Sequence, residues 1–268
     1  MRSLRVVTLN IWNRGGPWEQ RLEGIRAGLV ELEPDVVGLQ EVLRPAGEPD
    51  VVDQARQIAD GFGYHVAYGA AFAGGGLEFG NAALSKFPIL RTEVFALPTL
   101  DAPESRCLVF AELQAPFGNL PFFVTHLSWR FNEGHVREAQ VKAIAEHIKD
   151  LCPIDGFPPV LVGDFNAAPD ADEIRYLKGL CSLGGRSIYL ADTFGIVGRG
   201  EGTTFTRRNP FATELREPDR RIDYIFVRGP DQRGRGEPLD AHVCFDRPRN
   251  GIYPSDHFGV SATIRAEV

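Results

Sequence analysis

Val160-Leu161-Val162-Gly163-Asp164-Phe165-Asn166 decides how the rest of the chain is read, because an apolar run ends abruptly in a carboxylate and a carboxamide two residues apart. In an extended backbone, side chains two apart share a face, so Asp164 and Asn166 leave the strand end together. A continuous apolar run suits a strand buried on both faces, and polar residues at its carboxyl end stand where open α/β sheets receive ligands. The same ending also suits a plain Asx turn, so this segment alone does not separate a site from a strand stop.

Working outward, the same grammar recurs. Val6 to Leu9 ends at Asn10, Val36 to Leu39 at Gln40 and Glu41, and Phe122 to Thr125 at His126. Asp223 lies inside the apolar run from Ile222 to Phe226, and Asp256 and His257 precede a final strand from Phe258 to Ile264. Turn closure has no need of glutamate or histidine, so the recurrence points to a polar set gathered at strand ends.

Between these strands, Trp18, Leu22, Ile25, Leu29 and Leu32 recur at helical spacing, and Pro34 closes the helix. A second helix is expected from Asp53, its cap, to Phe62, a third from Glu133 to Leu151, and a fourth from Ala171 to Leu180. The third presents Val136, Gln140, Ala143, Ile144, His147 and Leu151 on one face. Short β-rich runs broken by glycine and proline between Tyr64 and Gln114 suit antiparallel pairing. The pattern is of the α/β class, with mixed sheets and helices outside them. The polar set runs from Asn10 to His257 with no Ser/Gly-rich linker, so residues 1–268 are read as a single domain.

With 43% hydrophobic and 24% charged residues, the 268-residue chain has the makings of an ordinary folded core. Its formal charge of −7 argues against affinity built on neutralising many phosphates. Arginine is concentrated late: eleven lie between Arg199 and Arg249, with no lysine, but nine acids are interspersed and a mixed solvated surface accounts for them. Cys107, Cys152, Cys181 and Cys244 are too widely spaced for a zinc site, and Cys107 and Cys244 read as small buried hydrophobes. No secretory signal or membrane-length apolar run is seen, which makes a cytoplasmic location the expectation.

The blocks L-N-I-W-N at 9–13, L-Q-E-V at 39–42, G-N-A-A-L-S-K-F-P at 80–88, T-H-L at 125–127, G-D-F-N at 163–166, R-I-D-Y-I at 221–225 and S-D-H-F at 255–258 resemble the endonuclease/exonuclease/phosphatase superfamily. That group takes in deoxyribonucleases, abasic-site endonucleases, neutral sphingomyelinases and inositol-polyphosphate phosphatases. Each block alone is weak, whereas seven in order across the chain are specific. The resemblance implies a four-layer α/β sandwich: two mixed β-sheets face to face, helices on the outer faces, and the site at one end.

Hydrolysing a phosphate ester requires neutralising its oxygens, activating a water and helping the leaving oxygen. Carboxylates and carboxamides without cysteine suit a hard cation, Mg²⁺ with Mn²⁺ as substitute, as one or two ions. Glu41 is the first choice as ligand, with Asn10 beside it if the first two strands are parallel neighbours. The resemblance implies that Asp164 orients or deprotonates the attacking water, Asn166 binds phosphate, and Asp223 fixes the tautomer of His257. Asp256 is assigned to a water on the metal or to a second ion.

His126 discriminates the subtype. The superfamily's abasic-site endonucleases tend to carry tyrosine there, so T-H-L places the chain with the deoxyribonuclease/sphingomyelinase-like branch, where His126 serves the leaving oxygen and Glu78 is expected to orient it. Asn81 and Arg106 match positions near the phosphate. Three segments are candidates for a substrate rim: Gly69 to Gly76 as a flexible loop, Trp129 to Asn132 with Trp129 and Arg130 as contacts, and Thr203 to Arg221.

The reading is a divalent-metal-dependent hydrolase of phosphate esters, a phosphodiesterase using metal-activated water, with a small-molecule, lipid-headgroup or nucleic-acid substrate. A nuclease with the same site is the first alternative and a phosphate-binding protein without turnover the second. A carbohydrate hydrolase built on Glu41 and Asp164 would differ by needing no metal.

Overall fold

The computed structural model describes residues 2–47 and 53–267. In chain order the elements are β1 (Ser3–Asn10), α1 (Trp18–Leu32), β2 (Val36–Pro45), α2 (Gln54–Ala59), β3 (His65–Gly74), β4 (Leu77–Ser85), β5 (Ile89–Ala96), β6 (Cys107–Ala115) and β7 (Gly118–His126). After them come α3 (Gly134–Leu151), β8 (Val160–Asp164), α4 (Asp172–Leu177), β9 (Ala191–Asp192), α5 (Thr193–Val197), α6 (Pro210–Thr213), β10 (Asp223–Val227), β11 (Pro238–Cys244) and β12 (Gly259–Arg265).

Two six-stranded mixed sheets result, ordered β11-β12-β1-β2-β4-β3 and β5-β6-β7-β8-β10-β9. Each has one parallel pair at its heart, β1/β2 bridged by α1 and β7/β8 bridged by α3. A parallel pair needs such a crossover, and it brings the carboxyl ends of both strands to one rim. His126 thus pairs in register with Asp164, which itself pairs with Asp223 at the start of antiparallel β10.

Period-two alternation builds the layers. Val6, Val36, Val124, Val162, Ile225 and Val260 fill the space between the sheets. Their strand neighbours Val7, Val37 and Leu39 pack under Ile25, Leu29 and Ile58 of α1 and α2, while Phe123, Leu161 and Phe226 pack under Ile144, Ile148 and Ile174 of α3 and α4. Three apolar interfaces make a four-layer α/β sandwich.

Gly38 sets the spacing between the sheets. A Cβ there would stand 2.2 Å from Val162 Cγ2 and 3.2 Å from Val124 Cγ1. Gly38→Ala should therefore cost about 1–3 kcal/mol through overpacking, read as a lowered urea midpoint. An unchanged midpoint would mean that the inter-sheet layer yields freely.

The helices depart from expectation in extent. α2 is shorter than the span to Phe62, although Asp53 does cap it, accepting from the Arg56 amide at 2.7 Å, and α4 covers only the middle of 171–180. On α3 the buried face is Val136, Arg137, Gln140, Val141, Ile144, Ala145 and Ile148, rotated from the expected stripe. Gln140 is buried because it is fully used: Oε1 accepts from the Ser128 amide at 3.0 Å, and Nε2 donates to Ser128 Oγ and to the Pro98 carbonyl. Residues 69–74, expected in a flexible loop, instead extend β3 against β4, and only Gly75 and Gly76 turn, both at positive φ as a tight hairpin requires. No helix among the described residues is long and apolar enough to cross a membrane.

Candidate active site

The strand ends converge on a cavity of about 530 Å³. Glu41, Arg106, His126, Trp129, Asp164, Asn166, Asp256 and His257 are on its wall. β1 and β2 deliver Asn10 and Glu41 from one sheet; β7, β8 and β10 deliver His126, Asp164 and Asp223 from the other. Asp256 and His257 arrive on the connection into β12. A second cleft of about 560 Å³ lies behind α1, lined by Phe245, Arg247 and Arg249, and none of the convergent set reaches it.

Asp164 Oδ2 stands at the meeting point. It accepts from Asn10 Nδ2 at 3.1 Å and lies 3.5 Å from His126 Nε2 and 3.7 Å from His257 Nε2. Its other oxygen accepts from the Asn166 amide at 2.8 Å, the Asx turn that the local sequence also allowed. His257 Nδ1 is 3.0 Å from Asp223 Oδ2, and neither residue is open to bulk solvent. Asn10 Nδ2 also reaches Glu41 Oε1 at 3.1 Å, and Asn13 Nδ2 donates to Glu41 Oε2 at 3.0 Å.

Burial sets the protonation pattern. It pushes Asp164 up to about 7, Asp223 adds to the push, and His257, Asn10 and the Asn166 amide oppose it. Asp256 rises to about 6 through burial, with Glu41 repelling it and His257 opposing. On His257, burial works against the charge, but Asp223, Asp164 and Asp256 outweigh it and hold the imidazolium well above the usual histidine range. His126 goes the other way: burial, then Arg106 and His257, keep it neutral. The two imidazoles beside Asp164 therefore differ, one charged and one not.

Several side chains expected at the site serve other ends. Glu78 does not orient His126; it points to the opposite face of β4, pairs with Arg44 at 3.5 Å, and leaves Phe79 facing the imidazole at 6.5 Å between ring centroids. His126 Nδ1 is buried with no hydrogen-bond partner among the described residues. Asn81 is behind the wall, donating to the Cys107 carbonyl at 3.1 Å. Arg106 is on the wall and is held by Glu104 at 3.0 Å. Trp129 donates to Glu104 from Nε1, while Arg130 covers the Trp129 ring at 4.9 Å and pairs with Glu104 and Glu133 instead of lining the cavity.

The sequence reading missed Asn13, Arg21 and Ser255. Asn13 and Ser255 lie inside the quoted blocks, so their spacing offered a signal. Arg21 is fully buried and spends its guanidinium on the carbonyls of Gly15, Ile11, Pro254, Trp12 and Asn13, pinning the segment after Asn10 to the one before Asp256. Its place on the α1 stripe gave no warning. Ser255 Oγ completes the tie, donating to the Asn10 carbonyl at 2.6 Å.

Candidate metal-binding atoms of Asp164, Asp223 and His257 lie within 4.8 Å of one another. Asp223 Oδ2 is already engaged by His257 Nδ1, and Asp223 is absent from the cavity wall, although its Oδ1 is buried with no hydrogen-bond partner among the described residues. Glu41 and Asp256 fit a cation better: both face the cavity, repel one another, and stand beside the carboxamides of Asn10 and Asn13. An all-oxygen donor set of this kind suits Mg²⁺ or Mn²⁺ over zinc. Glu41 is aimed by its backbone, since its φ of +58° falls where the β2/β4 register shifts.

The paired crossovers of a four-layer sandwich thus carry acids and histidines from both sheets to one rim. The chain belongs to the Endonuclease/Exonuclease/phosphatase family, whose model matches residues 7–257. It is 28% identical over 242 residues to Protein angel of Drosophila melanogaster, a match that covers 84% of this chain and 63% of that protein, so it spans less than two thirds of that relative's length. An endonuclease/exonuclease/phosphatase structure from Beutenbergia cavernae superposes with a TM-score of 0.75 at 26% identity, over 99% of this chain and 72% of that one. D. rerio TDP2, crystallised with a single-strand DNA product, superposes with a TM-score of 0.78 at 21% identity, over 98% and 99% of the two chains, a likeness of fold alone.

Proposed function

We propose that the chain is a divalent-metal-dependent phosphodiesterase of the deoxyribonuclease/sphingomyelinase-like branch. The observation that carries this reading is the position of Asp164 Oδ2 between Asn10, His126 and His257. A carboxylate raised to about 7 is a competent base near neutral pH. Asp164, fixed by Asn10 and the Asn166 amide, orients a water and takes its proton. His257, kept charged by Asp223, donates to a phosphoryl oxygen and offsets the charge that builds in the transition state. Neutral His126 donates one hydrogen bond towards the leaving oxygen, and Asn166 holds the phosphate. Glu41, Asp256 and Asn10 would hold Mg²⁺, which supplies Lewis-acid neutralisation of the phosphate when bound.

A nuclease reading is favoured by one further feature, the rim of exposed aromatics Phe72, Trp129 and Phe131. Unstacked bases can lie on such rings without a basic footprint. A panel of bis-p-nitrophenyl phosphate, p-nitrophenyl phosphate, sphingomyelin and single- and double-stranded DNA, with Mg²⁺, Mn²⁺ or chelator, tests both readings. Hydrolysis of a diester should fall to background in chelator and in Asp164→Ala. Full activity in chelator would sink the metal and favour a carboxylate-pair hydrolase.

A further inference from the structure

Arg220 and Arg221 are neighbours in sequence with opposite fates. Arg221 is closed: its two terminal nitrogens grip Asp192 Oδ1 and Oδ2 at 2.9 and 2.7 Å, and its guanidinium lies 4.5 Å from the Tyr224 ring. Such a fork on a carboxylate leaves nothing for a ligand. Arg220 faces the cavity, its backbone locked to Phe205 by Arg220 N donating to Phe205 O at 2.8 Å and Phe205 N to Arg220 O at 2.9 Å. Its guanidinium is 4.5 Å from the Phe131 ring and 5.9 Å from Phe205, which itself lies 4.9 Å from the His257 ring.

The polar side of Arg220 is held chiefly by one acid. One terminal nitrogen meets the Asn166 carbonyl at 3.5 Å, the other binds Glu217, and the Nε is shielded from solvent with no partner among the described residues. Glu217 is also on the cavity wall, and exposed Leu215 sits on the same segment. An arginine with a rigid backbone, flat support on an aromatic ring and a terminal nitrogen held only by a cavity-wall acid is pre-organised for a planar or tetrahedral oxyanion that takes that acid's place.

We propose that Arg220 forms a subsite for a second phosphate of the substrate, one beyond the ester being cleaved, and that Glu217 occupies its place in the free protein. Arg220 meets Asn166 through its backbone carbonyl, two residues beyond Asp164 in the chain, and Phe131 adds an exposed ring beside it. Substrates carrying a flanking phosphate are therefore preferred over simple diesters. This subsite rests on the phosphodiesterase reading for its meaning, but its anion recognition can be measured without turnover.

The test is calorimetric titration of the full chain, in excess Mg²⁺, with propylphosphonate and with straight-chain alkane bisphosphonates of graded length, none of which can be hydrolysed. At least one bisphosphonate should bind about tenfold more tightly than propylphosphonate. Arg220→Gln should bring that ratio close to one, Arg220→Lys should leave it intermediate, and Glu217→Gln should raise it by about threefold or more by removing a competing charge. A wild-type ratio near one, a ratio untouched by Arg220→Gln, or a ratio unchanged or lowered in Glu217→Gln would overturn the proposal, and Glu217→Gln keeps the test open if the Arg220 variants do not fold. A chain that shows the ratio and hydrolyses no ester would keep the subsite and lose the phosphodiesterase reading; active hydrolysis without the ratio would do the reverse.

Discussion

His257→Ala is expected to lower kcat on bis-p-nitrophenyl phosphate by about 10³-fold, and Asp223→Asn by about 10²-fold. The larger loss follows from removing a buried cation aimed at the phosphate. The smaller follows because Asp223, hidden behind the imidazole at 3.0 Å, acts only by holding the ring's charge and tautomer. Asp164 and Asp256 still favour the imidazolium when Asp223 is neutralised, so part of the charge survives. The double variant should then be no slower than His257→Ala alone, because the acid has nothing left to act upon. Multiplying effects in the cycle would show that Asp223 reaches the reaction independently and would remove the pairing. Thermal melts of all four proteins separate this outcome from misfolding.

Strand ends were legible because a buried strand must be apolar, so any acid or histidine at its terminus stands out. Asp164, His126 and Asn10 were found that way, and their meeting follows from two parallel pairs opening on the same rim. Glu78 failed because alternation was not followed through β4: with Phe79 facing the cavity, its neighbour must face away. Residues 69–74 looked like loop because glycine and alanine carry little strand propensity, yet pairing with β4 decides the matter. Arg21 was hidden by the helix pattern itself, where a long cation reads as solvated. Left-handed backbone at Trp12, Asn13, Glu41 and Asn166 could not be read either. Only asparagine among these types tolerates it readily, and the surrounding fold must hold the others there at about 1–3 kcal/mol each. These four residues line the cavity, while Glu33, Leu100, Arg216, Phe245 and Asn250 take the same backbone region away from its wall, so left-handed backbone shapes the candidate site without being confined to it.

Asp164→Asn should abolish turnover and yet stabilise the metal-free protein at neutral pH. Asp164 titrates near 3.8 when unfolded and near 7 when buried beside Asp223, so the folded state holds a proton that the unfolded chain releases. The resulting cost is absent below about pH 4, grows as pH rises towards 7, and is constant above it. The carboxamide carries no such cost, but it has one acceptor atom where the carboxylate used two, so the bond from either Asn10 or the Asn166 amide is lost. Loss of that bond and of a counter-charge to His257 offsets part of the relief, leaving a net gain on the order of 1 kcal/mol. In chelator, the midpoint difference between variant and wild type should therefore open between pH 4 and 7 and then stay level, measured by urea unfolding. His126, held neutral by burial, contributes an opposite slope below its ordinary range, but it is common to both proteins and largely cancels in the difference. Adding Mg²⁺ at pH 7.5 should narrow the gap, since a cation held by Glu41, Asp256 and Asn10 neutralises the charge that the substitution removes. A difference that does not open between pH 4 and 7 would mean that the buried carboxylate is not raised above the ordinary range, and would remove the basis for its acting as the base.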